Sequence, residues 1–141
     1  MRHGISSNDS GFRDAFERFE VPPGDFDHRA HVRLAYVYLC KLDPEQATVA
    51  MKQALLSFLG HLGVDNGKYH ETITRAWVMA VSHFMESTEP SSSFDEFILQ
   101  APTLLDKKAM LSHYSAEVLF SAEARSSFVE PDLHPIPKDG H

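Results

Sequence analysis

Histidines are the residues of this sequence whose type and spacing best suit chemistry. The chain of 141 residues contains nine of them. His28 and His31 are three positions apart, and His70 follows Tyr69 in a second segment. Imidazoles at positions i and i+3 of a helix share a face and can converge on one point. The sequence therefore predicts a functional site built around histidines.

A metal centre is the first function that these histidines suggest. Three neutral imidazoles suit Zn²⁺, Fe²⁺ or Cu²⁺, and they leave an open coordination position, as catalytic metals require. The first hypothesis is a metal-dependent enzyme, or a metal-binding helical protein, that acts on a small-molecule substrate. The reaction would be redox chemistry with iron or copper, or hydrolysis with zinc. The predicted metal ligands are His28, His31 and His70, with His113 as an additional member.

Two polar residues beside these histidines are predicted to act on the substrate. Tyr69 and Thr74 flank His70 and could hold a substrate or a metal-bound water. Two alternatives stay open. In one, the same side chains form a metal-free pocket for proton transfer or ligand binding. In the other, the protein is a non-enzymatic helical partner whose histidines only form hydrogen bonds within the core.

Composition excludes several other functions. The net charge is −7, from 13 basic and 20 acidic side chains, which disfavours nucleic acid and anionic membranes as partners. The one cysteine rules out an internal disulfide framework and multi-cysteine metal sites. We find no apolar run in the sequence that is long enough to span a bilayer, and the residues after Met1 do not form the apolar core of a signal peptide. We predict a soluble, cytoplasmic protein, for which a homodimer is one open possibility.

Helical periodicity places the histidines on two separate elements. A helix from about Asp27 to Leu42 has Asp27 as its N-cap, and another runs from about Lys68 to Glu86. On the first of these, Arg29, Arg33 and Cys40 fall on one side, which we predict to be solvated. His28 and His31 fall on the opposite, core-facing side. On the second, His70 faces inward with the apolar residues, and Glu71 faces outward.

The remaining elements complete an all-α prediction. Helices are expected over about 11–19, with Asp9 or Ser10 as cap, over 44–62 after the cap Asp43, and over 94–99, 103–114 and 115–128. The fold class is a compact bundle of five to seven helices in one domain, residues 1–141, with an extended, Pro-rich C-terminal tail from about residue 129.

The order of the helices predicts how the histidines meet. One helix separates the two histidine-bearing helices along the chain, so an up-down-up arrangement makes those two parallel. Parallel neighbours bring their N-terminal ends together. His28, His31 and His70 should therefore face one another at one end of the bundle.

The two segments that contain the histidines also resemble segments of a known kind of protein. The segments F-D-H-R-A-H-V-R-L-A (26–35) and K-Y-H-E-T-I-T-R-A-W (68–77) resemble those of a small bacterial all-helical family, and F-V-E-P-D-L (128–133) fits the same pattern. The resemblance covers a minority of the chain. It implies that the two histidine segments occur together, and it implies no activity, substrate or cofactor.

Overall fold

A computed structural model describes residues 3–64 and 69–136, and every regular element in those ranges is helical. The predicted all-α fold is therefore confirmed. The described part of the chain also has 3₁₀ segments between its α-helices, at Pro23–Asp25, Pro102–Leu105 and Lys107–Ser112. The α-helices in chain order are α1 Ser7–Glu17, α2 His28–Leu39, α3 Pro44–Leu62, α4 Glu71–Ser87, α5 Phe94–Gln100, α6 Ala116–Leu119 and α7 Ala122–Ser126.

The starts of α2 and α3 follow directly from their capping residues. The side chain of Asp27 accepts a hydrogen bond from the amide of Ala30, and Asp43 accepts one from Gln46. Pro44 occupies the first turn of α3, where its missing N–H costs nothing. Local sequence is sufficient at both positions because each cap lies within three residues of the amide that it serves.

The start of α1 differs from the prediction. The helix begins at Ser7 rather than near Gly11, because Ser6 and Asp9 form a reciprocal capping box. Ser6 Oγ accepts from the Asp9 amide, and Asp9 Oδ2 accepts from the Ser6 amide. The helix also ends early, at Glu17, and Phe19 beyond it has a positive φ of 64°. Neither predicted cap, Asp9 nor Ser10, is the N-cap residue.

The two helices predicted over 103–114 and 115–128 are also broken into shorter pieces. Two 3₁₀ segments replace the first, and α6 and α7 replace the second. Ser115 and Ser121 each cap a new turn through a side-chain hydrogen bond to a backbone amide, of Val118 and Ala124. A serine side chain that bonds to the backbone in this way competes with helical hydrogen bonds. Ser115 and Ser121 therefore each begin a new short helix instead of extending the previous one.

The predicted start of α4 at Lys68 lies outside the described residues. Within them, Tyr69 and His70 precede the helix, and α4 begins at Glu71 with His70 as its N-cap. The cap position matters because it turns the His70 ring back toward the helix end.

The core is arranged around α2, which packs against α4, α3 and α1. Seven of the twelve residues of α2 are buried, including Val32, Leu34 and Tyr36. Within residues 3–64 and 69–136, no helix has both the length and the apolar character needed to cross a membrane. Because α2 is enclosed on several sides, its polar side chains must find partners on other helices.

Arg33 is one of those side chains, and its predicted exposure to solvent is wrong. Its guanidinium pairs with Asp9 at 3.0 Å, and the Asp9 side chain is only 3% exposed. Asp9 also accepts from the backbone amide of Phe94 at the start of α5. One carboxylate therefore joins α1, α2 and α5. Cys40, which was placed on the same solvated side, is half-buried.

Hydrogen bonds hold residues 127–129 to the start of α4, and residues 132–134 to His113 and Ser115 before α6. The Thr72 hydroxyl donates to the carbonyl of Ser127 and accepts from the amide of Val129, at 3.0 and 3.1 Å. The Tyr114 hydroxyl donates to the Val129 carbonyl at 2.5 Å. Thr72 and Tyr114 are completely buried. The segment has no helical hydrogen bonds of its own, and these contacts hold it in place.

Replacing Thr72 by valine should lower the free energy of unfolding by about 1–3 kcal/mol, because the shape is kept while a buried carbonyl and amide lose their partner. Chemical denaturation measures the loss, and limited proteolysis after residue 126 should become faster. The control is Thr48→Val, where an exposed hydroxyl donates to Pro44 O. We expect that change to stay within about 0.5 kcal/mol. Equal losses for the two variants would contradict the assignment.

Candidate functional site: a histidine cavity at the N-terminal ends of α2 and α4

A cavity of about 450 Å³ lies where the N-terminal ends of α2 and α4 meet. Its lining includes five of the six site residues predicted from the sequence, namely His28, His31, Tyr69, His70 and Thr74. The apolar part of the wall comes mainly from α3, through Leu55, Phe58 and Leu59, and from Phe26 before α2. The volume falls in the range of small-molecule pockets. We call this space the histidine cavity.

Both ring nitrogens of His70 are occupied by backbone groups. Nε2 donates to the carbonyl of Leu119 at 2.8 Å, and Nδ1 accepts from the amide of Ile73 at 3.1 Å. This pattern requires a neutral ring with its proton on Nε2. Burial lowers the pKa of His70, and the nearby Arg125 adds to the effect. His70 therefore caps α4 and ties it to α6, and its ring has no lone pair left for a ligand.

His28 keeps one nitrogen available. Its Nε2 donates to the carbonyl of Leu104 at 2.9 Å, so Nδ1 of the neutral ring carries the lone pair. The ring meets Trp77 of α4 edge to face, with centroids 4.6 Å apart. His28 thus links α2, α4 and the 3₁₀ segment Pro102–Leu105, and it contributes one acceptor at the margin of the cavity.

Of the three histidines that line the cavity, His31 has the fewest structural ties. The described part of the chain offers no hydrogen-bond partner to its ring, and its nearest ring neighbour is Phe26, edge to face at 6.1 Å. Burial, together with the neighbouring His28, lowers the pKa of His31 to about 4. At neutral pH its imidazole is therefore uncharged, with one N–H donor and one acceptor to offer a ligand.

The side chain of Tyr69 lines the same cavity. Within residues 3–64 and 69–136 its hydroxyl is buried and has no hydrogen-bond partner. Burial raises the pKa of Tyr69 to about 12; the nearby Glu71 carboxylate adds to this rise and Thr74 opposes it. The phenol is therefore a neutral donor at physiological pH. A buried hydroxyl without a partner costs about 1–3 kcal/mol. Its neighbour Thr74 differs, because the Thr74 hydroxyl already donates to the carbonyl of His70 at 2.8 Å.

His113, the fourth predicted ligand, does not line the histidine cavity. Its Nδ1 donates to the carbonyl of His134 at 2.7 Å, and its own carbonyl accepts from the amide of Leu133. Both contacts hold the C-terminal segment. The structure therefore gives His113 a place among the hydrogen bonds that fix residues 127–136.

The donor set of the cavity does not match a three-histidine metal centre. Both ring nitrogens of His70 are hydrogen-bonded to the backbone. Among the cavity histidines, only Nδ1 of His28 and the ring of His31 therefore have a lone pair for a metal ion. Throughout the described ranges, no group of three or more His, Cys, Asp or Glu side chains is arranged to hold a metal ion. Zn²⁺ sites commonly need three protein ligands. Metal binding therefore stays a prediction, and the described side chains of the cavity do not supply the three ligands that it needs.

Sequence reasoning missed the other side of the cavity. Phe26 stacks on Phe16 with ring centroids 4.5 Å apart and lies 5.8 Å from Phe58 of α3. This aromatic stack closes the cavity against α1 and α3. The signal was present, because phenylalanine precedes the α2 cap directly, but its partners are 10 and 32 positions away in the chain.

The fold and the cavity together define a small all-helical protein with an apolar, histidine-lined pocket at one end of its central helix pair. Comparison of the chain with protein-family models, curated proteins and solved structures found no match. The resemblance of the histidine segments to a small bacterial helical family therefore stays a prediction, and function must be argued from the geometry of the cavity itself.

Proposed function

We propose that the histidine cavity binds the neutral, largely apolar part of a small molecule, and that this part carries one hydroxyl or carbonyl group. The observation that carries this proposal is the buried Tyr69 hydroxyl, for which the described residues supply no partner. We propose that a small rotation of the Tyr69 side chain brings this hydroxyl, which has almost no accessible surface here, to the ligand, whose polar group then accepts its hydrogen bond and offsets the cost of burial. A few well-placed polar groups within an apolar wall are typical of ligand pockets.

The charges around the histidine cavity favour a neutral group within it. Its lining, as far as the structure describes it, contains no lysine or arginine. The only acidic side chain there, Asp27, accepts a hydrogen bond from the Ala30 amide as the N-cap of α2. His31 is uncharged at neutral pH, given its pKa of about 4. A charged ligand would lose its hydration here without gaining an opposite charge, which is unfavourable.

The same groups support binding better than acid–base catalysis. An effective general base has a pKa near the working pH, and His31 titrates near 4. The pKa of Tyr69 lies well above neutrality, and the His70 nitrogens are engaged by the backbone. The existence of the cavity also supports a binding protein over a protein whose histidines only fill a core.

Metal binding is the second candidate, and it has one observation in its favour. His28 and His31 lie one turn apart, and each has a ring nitrogen without a backbone partner among the residues described. Elemental analysis of protein purified without an affinity tag tests it. Stoichiometric zinc, iron or copper that is lost in His31→Ala would replace the proposal of a metal-free pocket.

Para-cresol and toluene are suitable probes, because they differ only in a hydroxyl that can both donate and accept. Isothermal titration calorimetry should show tighter binding of para-cresol. Replacing Tyr69 by phenylalanine should weaken para-cresol binding about tenfold, the value of one hydrogen bond, and leave toluene unaffected. The same variant should be as stable as the wild type or up to about 1 kcal/mol more stable, because a buried hydroxyl is removed.

The matched control is Tyr38→Phe. The Tyr38 hydroxyl donates to Glu17 at 2.5 Å, away from the histidine cavity, so its removal should lower stability without changing the preference for para-cresol. Equal affinities of the wild type for the two probes, or no binding of either up to their solubility, would overturn the proposed function.

A further inference from the structure

A second cavity, of about 570 Å³, lies beside the first and shares the Tyr69 side chain as its wall. We call it the charged cavity. The two spaces follow the same face of α3: Lys52 and Leu56 line the charged cavity, whereas Leu55 and Leu59 line the histidine cavity. Residues three and four apart on a helix are neighbours, so the two cavities are adjacent along α3.

The charged cavity has the opposite chemical character to its neighbour. Its lining contains two cationic side chains, Lys52 and Arg125, and one carboxylate, Glu71. The described lining of the histidine cavity, by contrast, contains neither lysine nor arginine. Phe120, which is 59% exposed, supplies an apolar rim. The surroundings therefore suit a singly charged anion attached to an apolar body.

Lys52 is the group best placed to bind such an anion. Its Nζ lies 3.1 Å from Glu71 Oε1 and 5.9 Å from the centre of the Tyr69 ring, and its side chain is 47% exposed. An ammonium group has three donors, and one carboxylate oxygen does not use them all. A second carboxylate could therefore join Lys52 within reach of the wall that divides the two cavities.

We propose that the charged cavity binds a carboxylate and that the natural ligand is an amphipathic carboxylic acid. This inference rests on the proposed function. The neutral, hydroxylated part of the ligand lies in the histidine cavity against Tyr69 and His31, and its carboxylate lies in the charged cavity near Lys52. A monoanion fits better than a phosphate dianion, because Lys52 already pairs with Glu71 and the lining therefore contains a carboxylate that would repel a dianion.

Para-hydroxyphenylpropionate and its amide test the inference, because both carry the phenol and only one carries the charge. Calorimetry of the wild type should show the acid binding about fivefold more tightly than the amide, the scale of a partly exposed ion pair. Lys52→Met should abolish this ratio while retaining the apolar stem. Glu71→Gln should increase it, because a competing carboxylate is removed. The control is Lys108→Met, an exposed lysine that lines neither cavity, and it should leave the ratio unchanged.

The outcomes separate this inference from the proposed function. In one outcome the amide binds in a Tyr69-dependent way, but the acid binds no more tightly or the ratio does not respond to Lys52→Met. That outcome would overturn the proposal of an amphipathic acid and would leave the histidine cavity as a binding site. Failure of both compounds and of para-cresol to bind would overturn both proposals. A ratio that falls on Lys52→Met and rises on Glu71→Gln would support the inference, since a merely structural change does not act in opposite directions on the two charges.

Discussion

Replacing Asp9 by alanine should lower the free energy of unfolding by about 3–5 kcal/mol, the largest effect that we expect of any single substitution. The carboxylate is buried, pairs with Arg33 at 3.0 Å and accepts from the amides of Ser6 and Phe94. Alanine leaves the Arg33 guanidinium and both amides without their acceptor. Burial alone would raise the pKa of Asp9, but these hydrogen bonds outweigh it and hold the pKa below its usual value.

Chemical denaturation at neutral pH measures this loss, and two variants define its origin. Asp9→Asn keeps the shape and one acceptor oxygen, so we expect it to lose less than alanine. Asp14→Ala removes a carboxylate that is 45% exposed and pairs with Arg13 at 3.2 Å, and it should cost less than about 1 kcal/mol. If Asp9→Ala cost no more than Asp14→Ala, Asp9 would not be the link between α1, α2 and α5.

The second large effect is a loss of stability in mild acid that depends on His31. The pKa of His31 is about 4 in the folded protein, against 6.5 for an unperturbed histidine. Between these values the unfolded chain binds more protons, so protonation favours unfolding. The contribution of His31 is complete above pH 6.5 and is lost as the pH falls toward 4. The loss is at most about 3 kcal/mol.

Denaturation midpoints measured at intervals from pH 7.5 to 4 test this expectation. His31→Leu should flatten the profile in this range, because leucine does not titrate. His70, whose pKa is also lowered by burial, should account for part of the slope that remains. His134→Gln, which changes an exposed histidine, is the control and should keep the wild-type slope. A profile of His31→Leu parallel to that of the wild type would show that the surroundings of His31 do not lower its pKa in the folded protein.

The sequence was a good guide wherever the partners are close in the chain. Asp27 and Asp43 cap helices through amides three positions away, and both helix starts were predicted from this spacing. Helical periodicity also placed His28 and His31 on the side of α2 where the cavity lies. These inferences succeeded because capping and periodicity depend only on local geometry.

Distant partners account for what could not be predicted. Arg33 was expected in solvent, since nothing within its own helix indicates that Asp9, 24 positions earlier, folds against it. The occupation of both His70 nitrogens depends on Leu119, which is 49 positions away. The charged cavity combines Lys52 with Arg125. Such pairs are fixed by tertiary packing, and a single sequence contains no periodic signal for them.

Trp77 gives the histidine cavity an intrinsic optical reporter. It is the only tryptophan of the chain, and its ring meets His28, which lines the cavity. Indole fluorescence is sensitive to the polarity and protonation of adjacent groups. Arrival or departure of a molecule in this space could therefore be followed in real time by stopped-flow emission, on unlabelled protein of native sequence.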